Sequence, residues 1–285
     1  MKTATQLKDK IKNLAKAKNL DPLILSKNYM MERFLERIAL SAYGDHFILK
    51  GGFLIASVVG IDTRSTVDID TTLKNYPMDK EMLEKIIEEI IQINCDDHII
   101  MSLKKLETIH EDGEYSGIRV SIETKIDRMR IPIKVDITTG DKITPKEIVY
   151  QYPLMFEDRS IKVWAYNLET IIAEKYHGIL SFGTYNTRMR DYYDIHLLTQ
   201  LQTQTIKPEV LYDAIHETAK NRQGLHLLTD QKMIISEILI SEDMKKLWHD
   251  YQLKNSYAVV FSWEEVCSSV EGVLDLASED IKVEL

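Results

Sequence analysis

Two aspartates separated by one residue stand in an otherwise apolar segment. Asp68 and Asp70 lie in the run Val67-Asp68-Ile69-Asp70, and residues i and i+2 of a β-strand point to the same face. Two adjacent carboxylates repel each other and are costly among apolar neighbours unless a cation lies between them. Mg²⁺ takes such carboxylates together with substrate phosphates. The pair indicates either a metal site or an exposed strand edge with solvated acids.

A glycine pair precedes these acids. Gly51-Gly52 stands seventeen residues before Asp68, between a predicted strand at 46–50 and an apolar helix at 53–59. Glycine lets the backbone approach a phosphate closely, and a helix N-terminus offers free N–H groups and a favourable dipole. In this context the pair predicts a phosphate cradle, although alone it indicates only a turn.

A third carboxylate, Asp136, lies between apolar residues at 133–137, on a later predicted strand. Three acids on neighbouring strands can hold two metal ions about 3.5–4 Å apart, which is the arrangement used for in-line phosphoryl chemistry.

Charged residues also fall on apolar stripes of two predicted helices in the second half of the chain. Lys175 shares a stripe with leucine and isoleucine, and Asp191 and Asp194 share one on the following helix. A lysine in such a place either extends its ammonium to solvent or has an anionic partner, and buried acids need pairing. The three side chains therefore either tie two helices together or contact a nucleotide. Arg64 and Arg190 either add positive charge against a phosphate or are surface residues.

The periodicity of apolar residues gives the order of the elements that would position these groups. It predicts helices at 5–18, 22–41 and 53–59 and an amphipathic helix capped by Asp79. It predicts strands at 66–73, 99–108, 117–126, 131–138 and 161–165, with turns at 110–113 and 127–130. After residue 166 the pattern is helical, with breaks near 182–187, 202–207 and 255–257. The boundary between a mixed half and a helical half is expected near 160–167.

Length and composition exclude several classes of protein. The 285 residues and 33.1 kDa predict two domains or one extended domain. With 44% apolar and 28% charged residues, the chain is neither disordered nor collagen-like. Cys95 and Cys267 predict reduced thiols rather than a disulfide scaffold. The longest apolar run, 53–61, is too short to cross a membrane, so we expect a cytoplasmic protein without a membrane partner.

The net charge of −9 is unevenly distributed. Residues 1–50 carry +5, and residues 264–285 carry −6. In the first predicted helix, Lys8, Lys12 and Lys16 recur at i, i+4 spacing along one side. This basic face either meets a polyanion such as a nucleic acid or is simply a solvated helix surface.

Taken together, these motifs resemble the nucleotidyltransferase superfamily of DNA polymerase β type, and within it the AbiEii/AbiGii toxin family of bacterial toxin–antitoxin and phage abortive-infection systems. The resemblance covers roughly residues 25–240. It rests on five segments in order: Lys50-Gly51-Gly52-Phe53-Leu54, Arg64-Ser65-Thr66-Val67-Asp68-Ile69-Asp70, Lys134-Val135-Asp136, Ile172-Ala173-Glu174-Lys175-Tyr176-His177 and Arg190-Asp191-Tyr192-Tyr193-Asp194-Ile195.

The resemblance implies an α+β fold. We expect a polymerase-β-like mixed sheet with flanking helices, followed by an all-helical C-terminal domain. Residues 1–165 would form the nucleotidyltransferase domain with its N-terminal helices. Residues 166–285 would form a helical domain that completes the nucleotide site.

The resemblance also implies an enzyme that moves a nucleoside monophosphate from an NTP to an acceptor hydroxyl and releases pyrophosphate. Some relatives modify the 3′ end of tRNA, so RNA is an expected acceptor and a protein is the rival. A cognate antitoxin protein is the expected partner. Two Mg²⁺ ions would be held by three acids, Asp68, Asp70 and Asp136.

The implied residue roles follow the motifs. Asp136 would also help to deprotonate the acceptor, and Gly51 and Gly52 would cradle the phosphates. Lys175 would neutralise the triphosphate, with Asp191 positioning it or contacting the base. The remaining residues expected to bind the nucleotide are Arg64, Arg190 and Asp194.

Two other functions use similar residues. A catalytically silent nucleotide- or partner-binding module on the same fold would have no need of three clustered acids. A metal-dependent nuclease would use the carboxylates but would need neither the glycine turn nor Lys175.

Overall fold

A computed structural model of the chain describes residues 3–76, 79–110 and 116–278. The chain divides into two compact units. The first unit comprises Met1–Asp141 and Ile148–Ala165, and the second comprises Lys142–Glu147 and Tyr166–Leu285. The predicted turn at 110–113 lies outside the described residues except for His110.

The first unit is built on one mixed sheet of seven strands in the order β3-β4-β5-β2-β1-β7-β6. The β1–β7 and β2–β5 pairs are parallel and the other neighbours are antiparallel. The strands are β1 Phe47–Lys50, β2 Ile69–Leu73, β3 Ile100–His110, β4 Ser116–Ile126, β5 Met129–Thr138, β6 Ile148–Pro153 and β7 Ser160–Ala165.

Four helices flank this sheet in the first unit: α1 Ala4–Lys18, α2 Pro22–Leu40, α3 Gly51–Val59 and α4 Lys80–Ile91. Side chains of Thr3, Asp21 and Asp79 accept hydrogen bonds from the first turns of α1, α2 and α4, which satisfies N–H groups that no helix can pair internally. The cap at Asp79 confirms the sequence prediction.

The alternation of apolar and polar side chains along β5 shows which face of the sheet packs against the helices. Ile131, Ile133, Val135 and Ile137 are buried at 4% exposure or less, and helix α2 packs against this strand. The intervening residues point to the opposite face, because side chains alternate along a strand. Asp136 of β5 and its register partner Asp70 of β2 lie on that second face.

The second unit contains only helices among its described elements. They are α5 Leu168–Phe182, α6 Met189–Leu201, α7 Pro208–Asn221, α8 Leu225–Ile240, α9 Glu242–Lys254, α10 Trp263–Glu271 and α11 Val273–Ser278, with 3₁₀ turns at Gly183–Tyr185 and Ser256–Ala258. The α+β fold class is confirmed. None of the described helices combines the length and apolarity needed to cross a membrane.

The structure differs from the sequence prediction in a few elements. Strand β2 begins at Ile69 rather than at residue 66, so Asp68 precedes the strand. Edge strand β6 was not predicted, because its outer residues are exposed and the apolar alternation is weak. The chain also breaks between α7 and α8 and between α8 and α9, and neither break was predicted.

Part of the positive charge in residues 1–50 is buried. Arg33 on α2 contacts Glu32 at 2.6 Å and Glu36 at 2.9 Å, and Arg37 contacts Asp97 at 2.8 Å. These arginines are 1% and 2% exposed, so they hold the first unit together and contribute nothing to a basic surface.

The basic face of α1 is present in the structure. Lys8, Lys12 and Lys16 are exposed, and the buried residues of the helix are Leu7, Ile11 and Ala15. Two neighbouring lysines are engaged locally: Lys18 pairs with Asp62 at 2.7 Å, and the Lys10 ammonium lies over the ring of Phe156.

Candidate active site

A row of charged residues crosses four adjacent strands of the sheet. Lys50 on β1 is in register with Asp70 on β2, and Asp70 with Asp136 on β5. Asp136 in turn is in register with Arg119 on β4. Directly opposed residues of neighbouring strands share a face and are the closest cross-strand neighbours. The structure therefore brings together two of the three predicted acids and flanks them with two cations.

The remaining acid of this motif, Asp68, lies two residues before Asp70 and just outside the strand. Its Oδ1 accepts a hydrogen bond of 2.9 Å from the Thr66 hydroxyl. Because the hydroxyl fixes the side chain, Asp68 stays close to the end of the row rather than turning into solvent.

The glycine pair begins helix α3 directly beside the row. Gly51 has φ +67, and a β-carbon there would lie 2.7 Å from the Cβ and Cγ atoms of Asp70. A β-carbon on Gly52 would lie 2.8 Å from Nη2 of Arg64. Only glycine fits this left-handed conformation and close approach without strain.

The start of α3 can attract an anion. No side chain caps this helix, all of whose residues are described, and its first N–H groups carry the positive end of the helix dipole. The Arg64 guanidinium, which is 4% exposed, lies against Gly52 and adds a positive charge. Phosphate oxygens suit this arrangement of donors, and this geometry supports the role predicted for Gly51, Gly52 and Arg64.

Arg119 makes a bidentate ion pair with Asp136. Its Nε and Nη2 donate to Oδ1 and Oδ2 at 2.7 and 2.6 Å. This hydrogen bond raises the pKa of Arg119 despite partial burial, and the negative charges of Asp136, Asp68 and Asp70 act in the same direction. The Arg119 guanidinium thus interacts electrostatically with all three predicted acids.

A second ion pair lies at the other end of the row. The Lys50 ammonium donates to Asp141 at 2.8 Å, and the same Asp141 oxygen accepts from the hydroxyls of Thr72 and Thr138. Burial would raise the pKa of Asp141, but the charge of Lys50 and these hydrogen bonds lower it to about 2. These contacts hold the side chain of Lys50, the residue that directly precedes the glycine pair.

The carboxylates fit a divalent cation in part. Mg²⁺ commonly uses one or two protein carboxylates plus phosphate oxygens, and Asp68 and Asp70 offer hard oxygen donors of this kind. Both oxygens of Asp136, however, are engaged by Arg119. Within residues 3–76, 79–110 and 116–278, no three His, Cys, Asp or Glu side chains converge as a ligand set.

The predicted site residues of the second unit form a cluster of their own. Lys175 on α5 contacts Asp191 at 2.7 Å and Asp194 at 2.8 Å on α6. Burial would lower the pKa of Lys175, but the two carboxylates raise it. The three side chains do tie two helices together. Arg190 is exposed next to this cluster in the chain.

Sequence reasoning missed Arg119 and Asp141. A signal for Arg119 was available in the β4–β5 hairpin. If residues 127 and 128 form the turn, Ile126 pairs with Met129. Counting back along both strands then pairs Arg119 with Asp136. Asp141 follows the last β5 residue by three positions, and nothing local distinguishes it from a loop residue.

A family model described as nucleotidyl transferase AbiEii toxin of type IV toxin–antitoxin systems matches residues 33–262. The comparison with curated proteins finds no match.

Three solved structures share the fold at low sequence identity. A protein from Helicobacter pylori, described as a nucleotidyltransferase, gives a TM-score of 0.55 at 15% identity, over 93% of this chain and 99% of that chain. JHP933 from Helicobacter pylori gives 0.53 at 15% identity, over 92% and 94%. The nucleotidyltransferase toxin MenT4 from Mycobacterium tuberculosis gives 0.51 at 13% identity, over 90% and 94%.

Proposed function

The chain belongs to the AbiEii family of nucleotidyltransferase toxins of type IV toxin–antitoxin systems, and on this premise we propose that it transfers a nucleoside monophosphate from an NTP to a hydroxyl of an RNA acceptor in a Mg²⁺-dependent reaction. The 3′ end of tRNA is the acceptor that we favour. Family membership makes the chain an enzyme with an antitoxin partner, whereas the metal, the acceptor and a role in phage defence are parts of the proposal.

The observation that carries the proposal is the register of the sheet. Pairing of β2 with β5 places Asp70 beside Asp136, and Gly51 at the start of α3 lies against the Asp70 side chain. Carboxylates that can hold a cation and N–H groups that can hold a phosphate therefore adjoin each other in the first unit. A nuclease would need the carboxylates but not this glycine contact.

In the proposed reaction, the acceptor hydroxyl oxygen forms a bond to the α-phosphorus of the NTP. The bond from the α-phosphorus to the bridging oxygen breaks, and pyrophosphate leaves with that electron pair. The hydroxyl proton passes to the carboxylate of Asp136. A divalent cation held by Asp68 and Asp70 would supply positive charge to the phosphates. Backbone N–H groups at Gly51 and Gly52, with Arg64, would bind the phosphate oxygens.

The roles of Lys175, Asp191, Asp194 and Arg190 in binding the nucleotide are a separate part of the proposal. Their support is the family motif, which is present in order in this chain. The ion pairs of Lys175 with Asp191 and Asp194 also serve the packing of α5 on α6, so the test for Lys175 has to separate stability from binding.

The experiment is a transfer assay with each of the four labelled NTPs, Mg²⁺ and either total RNA or protein extract. We expect label in RNA and, after fractionation, in tRNA. Asp68→Asn and Asp70→Asn should abolish labelling with little change in the folded state. Asp158→Asn, at an exposed aspartate of the first unit, is the matched control. Label in protein alone would refute the RNA acceptor, and full activity of both variants would refute the metal role.

A further inference from the structure

The strongest feature that the proposed function leaves unexplained is the Arg119–Asp136 ion pair. Both carboxylate oxygens of Asp136 are engaged at 2.7 and 2.6 Å by Nε and Nη2 of Arg119. A carboxylate whose two oxygens both accept from one guanidinium has its strongest lone pairs committed. In this state, only the second lone pair of each Asp136 oxygen remains for a metal ion or a proton.

The Arg119 side chain could turn towards solvent if it released Asp136. Its side chain is 35% exposed, whereas that of Asp136 is 10% exposed. Solvent therefore reaches the guanidinium, while the carboxylate is held in the row between β4 and β2. The arginine is therefore the more exposed partner of this pair.

The charges around Arg119 explain why it occupies this position. Asp136, Asp68 and Asp70 all act on its guanidinium, and the other cation of the row, Lys50, contacts Asp141. Neighbouring carboxylates attract a cation, because like charges repel each other. A divalent ion would bring twice the charge and bind carboxylate oxygens at about 2.0–2.1 Å, closer than any N–H donor.

We propose that Arg119 is an internal cation that occupies the Asp136 carboxylate and competes with a divalent cation for its oxygens. The inference rests on the proposed metal-dependent function. It goes beyond that function by assigning to Arg119 a direct competition with the metal for the Asp136 carboxylate.

The competition has a measurable consequence for metal affinity. The apparent Kd of a ligand equals its intrinsic Kd divided by the fraction of protein in the competent state. If the ion pair is closed in about nine molecules of ten, removing it lowers the apparent Kd about tenfold. An arginine that merely stabilises the sheet would not change metal affinity in this direction.

The experiment measures direct binding of Mn²⁺, used as a paramagnetic probe, by electron spin resonance and by titration calorimetry without NTP. Arg119→Gln should bind Mn²⁺ about tenfold more tightly than the unaltered protein. Arg119→Lys, which cannot make a bidentate contact, should give a smaller gain and provides a second variant if Arg119→Gln fails to fold. Thermal melts monitor folding of each variant.

Two controls sharpen the result. Arg130→Gln removes an exposed arginine of β5 that lies 3.8 Å from Glu123. Arg130 is six strand residues, and therefore about 20 Å, from Asp136, so this variant should leave Mn²⁺ affinity unchanged. Adding Asp136→Asn to Arg119→Gln should abolish the gain, because the released ligand is then absent.

The outcomes separate this inference from the proposed function. Unchanged or weaker Mn²⁺ binding by both Arg119 variants would overturn the competition while leaving metal-dependent transfer standing. A gain that persists with Asp136→Asn would also overturn it, since the gain would not come from that carboxylate. A failure of every variant to bind Mn²⁺, with and without NTP, would refute the metal-dependent function and the competition together.

Discussion

The side chain of Asp70 lies in the space that a β-carbon on Gly51 would need. Such an atom would stand 2.7 Å from the Cβ and Cγ atoms of Asp70. The contact joins the start of helix α3 to strand β2, and hence the candidate phosphate cradle to the row of carboxylates. Four predictions follow from this contact and from other features within each unit.

Gly51→Ala should destabilise the protein and abolish transfer. The alanine would be strained at φ +67, which costs roughly 1–3 kcal/mol, and its methyl group would displace Asp70. Urea unfolding and the transfer assay measure the two effects. Gly178→Ala is the matched control: a β-carbon there meets no atom within 4 Å, and in the interior of α5 it should stabilise the protein by about 0.5–1 kcal/mol. A Gly51→Ala protein with full activity would contradict the close contact.

Lys175→Ala should weaken NTP binding strongly, because a desolvated contact between ammonium and phosphate would be lost. It should also lower the melting temperature, since Asp191 and Asp194 lose their contacts with the ammonium and breaking a buried pair costs about 3–5 kcal/mol. Calorimetry on the folded protein, at a temperature well below the melt, separates the two effects.

The control for Lys175 is another ion pair on the same helix. Arg222→Ala removes the contact of Arg222 with Glu174 at 3.2 Å and should lower stability without changing NTP affinity. If Lys175→Ala behaves in the same way, its role is confined to joining α5 and α6.

Acid should destabilise the second unit through His177. Burial, with the positive charges of Arg222 and His226, lowers the pKa of His177 from 6.5 to about 4. Between these values the unfolded chain binds a proton that the folded chain does not. The contribution of His177 to stability is therefore constant above pH 6.5 and falls, by roughly 3 kcal/mol, as the pH drops towards 4.

His177→Gln should remove this component, which urea titrations at pH 7, 5.5 and 4 would detect. His249→Gln, at an exposed position of α9, is the control and should keep the pH dependence of the unaltered protein. Equal pH dependence of the His177 variant and the unaltered protein would show that His177 does not cause it.

Replacing Lys8, Lys12 and Lys16 by glutamate should weaken RNA binding and flatten its dependence on salt. The three exposed lysines lie along one side of α1, and each phosphate contact that is lost reduces the slope of log K against log salt by about 0.7–0.9. Filter binding between 50 and 300 mM salt measures both quantities. NTP binding should survive.

The matched control applies the same charge change to exposed lysines elsewhere. Lys232, Lys246 and Lys254 lie on α8 and α9, and their replacement by glutamate should leave RNA binding nearly unchanged. If the two triple variants lose affinity equally, the effect reflects net charge, and α1 is then a solvated helix surface.

Local sequence patterns were sufficient to predict the order and type of most elements and to identify the acids. Apolar residues recur with a period near 3.6 in α1, α2 and α4 and near 2 in β4 and β5, and these periods are local properties of the chain. The caps at Asp21 and Asp79 are equally local. The five motifs between Lys50 and Ile195, taken in order, were enough to suggest the family by resemblance.

Which distant residues come into contact depends on the tertiary structure and cannot be read from local patterns. Period-2 alternation tells which face of a strand is polar, but not which strand is its neighbour or in what register. The parallel pairing of β2 with β5 joins Asp70 to Asp136 across 66 positions of sequence. No local pattern encodes that pairing, because it depends on how the whole sheet buries its apolar face against the helices.

The ion pairs were decided in the same way. The sequence indicated that Lys175 and the two acids of α6 need partners, but only packing of the helices chose them as partners for each other. Arg119 could have been placed opposite Asp136 from the hairpin, yet its bidentate contact depends on side-chain conformation. Asp141 pairs with Lys50 across 91 positions of sequence. Electrostatic partners are chosen by proximity in the folded chain, and proximity is what the one-dimensional sequence does not contain.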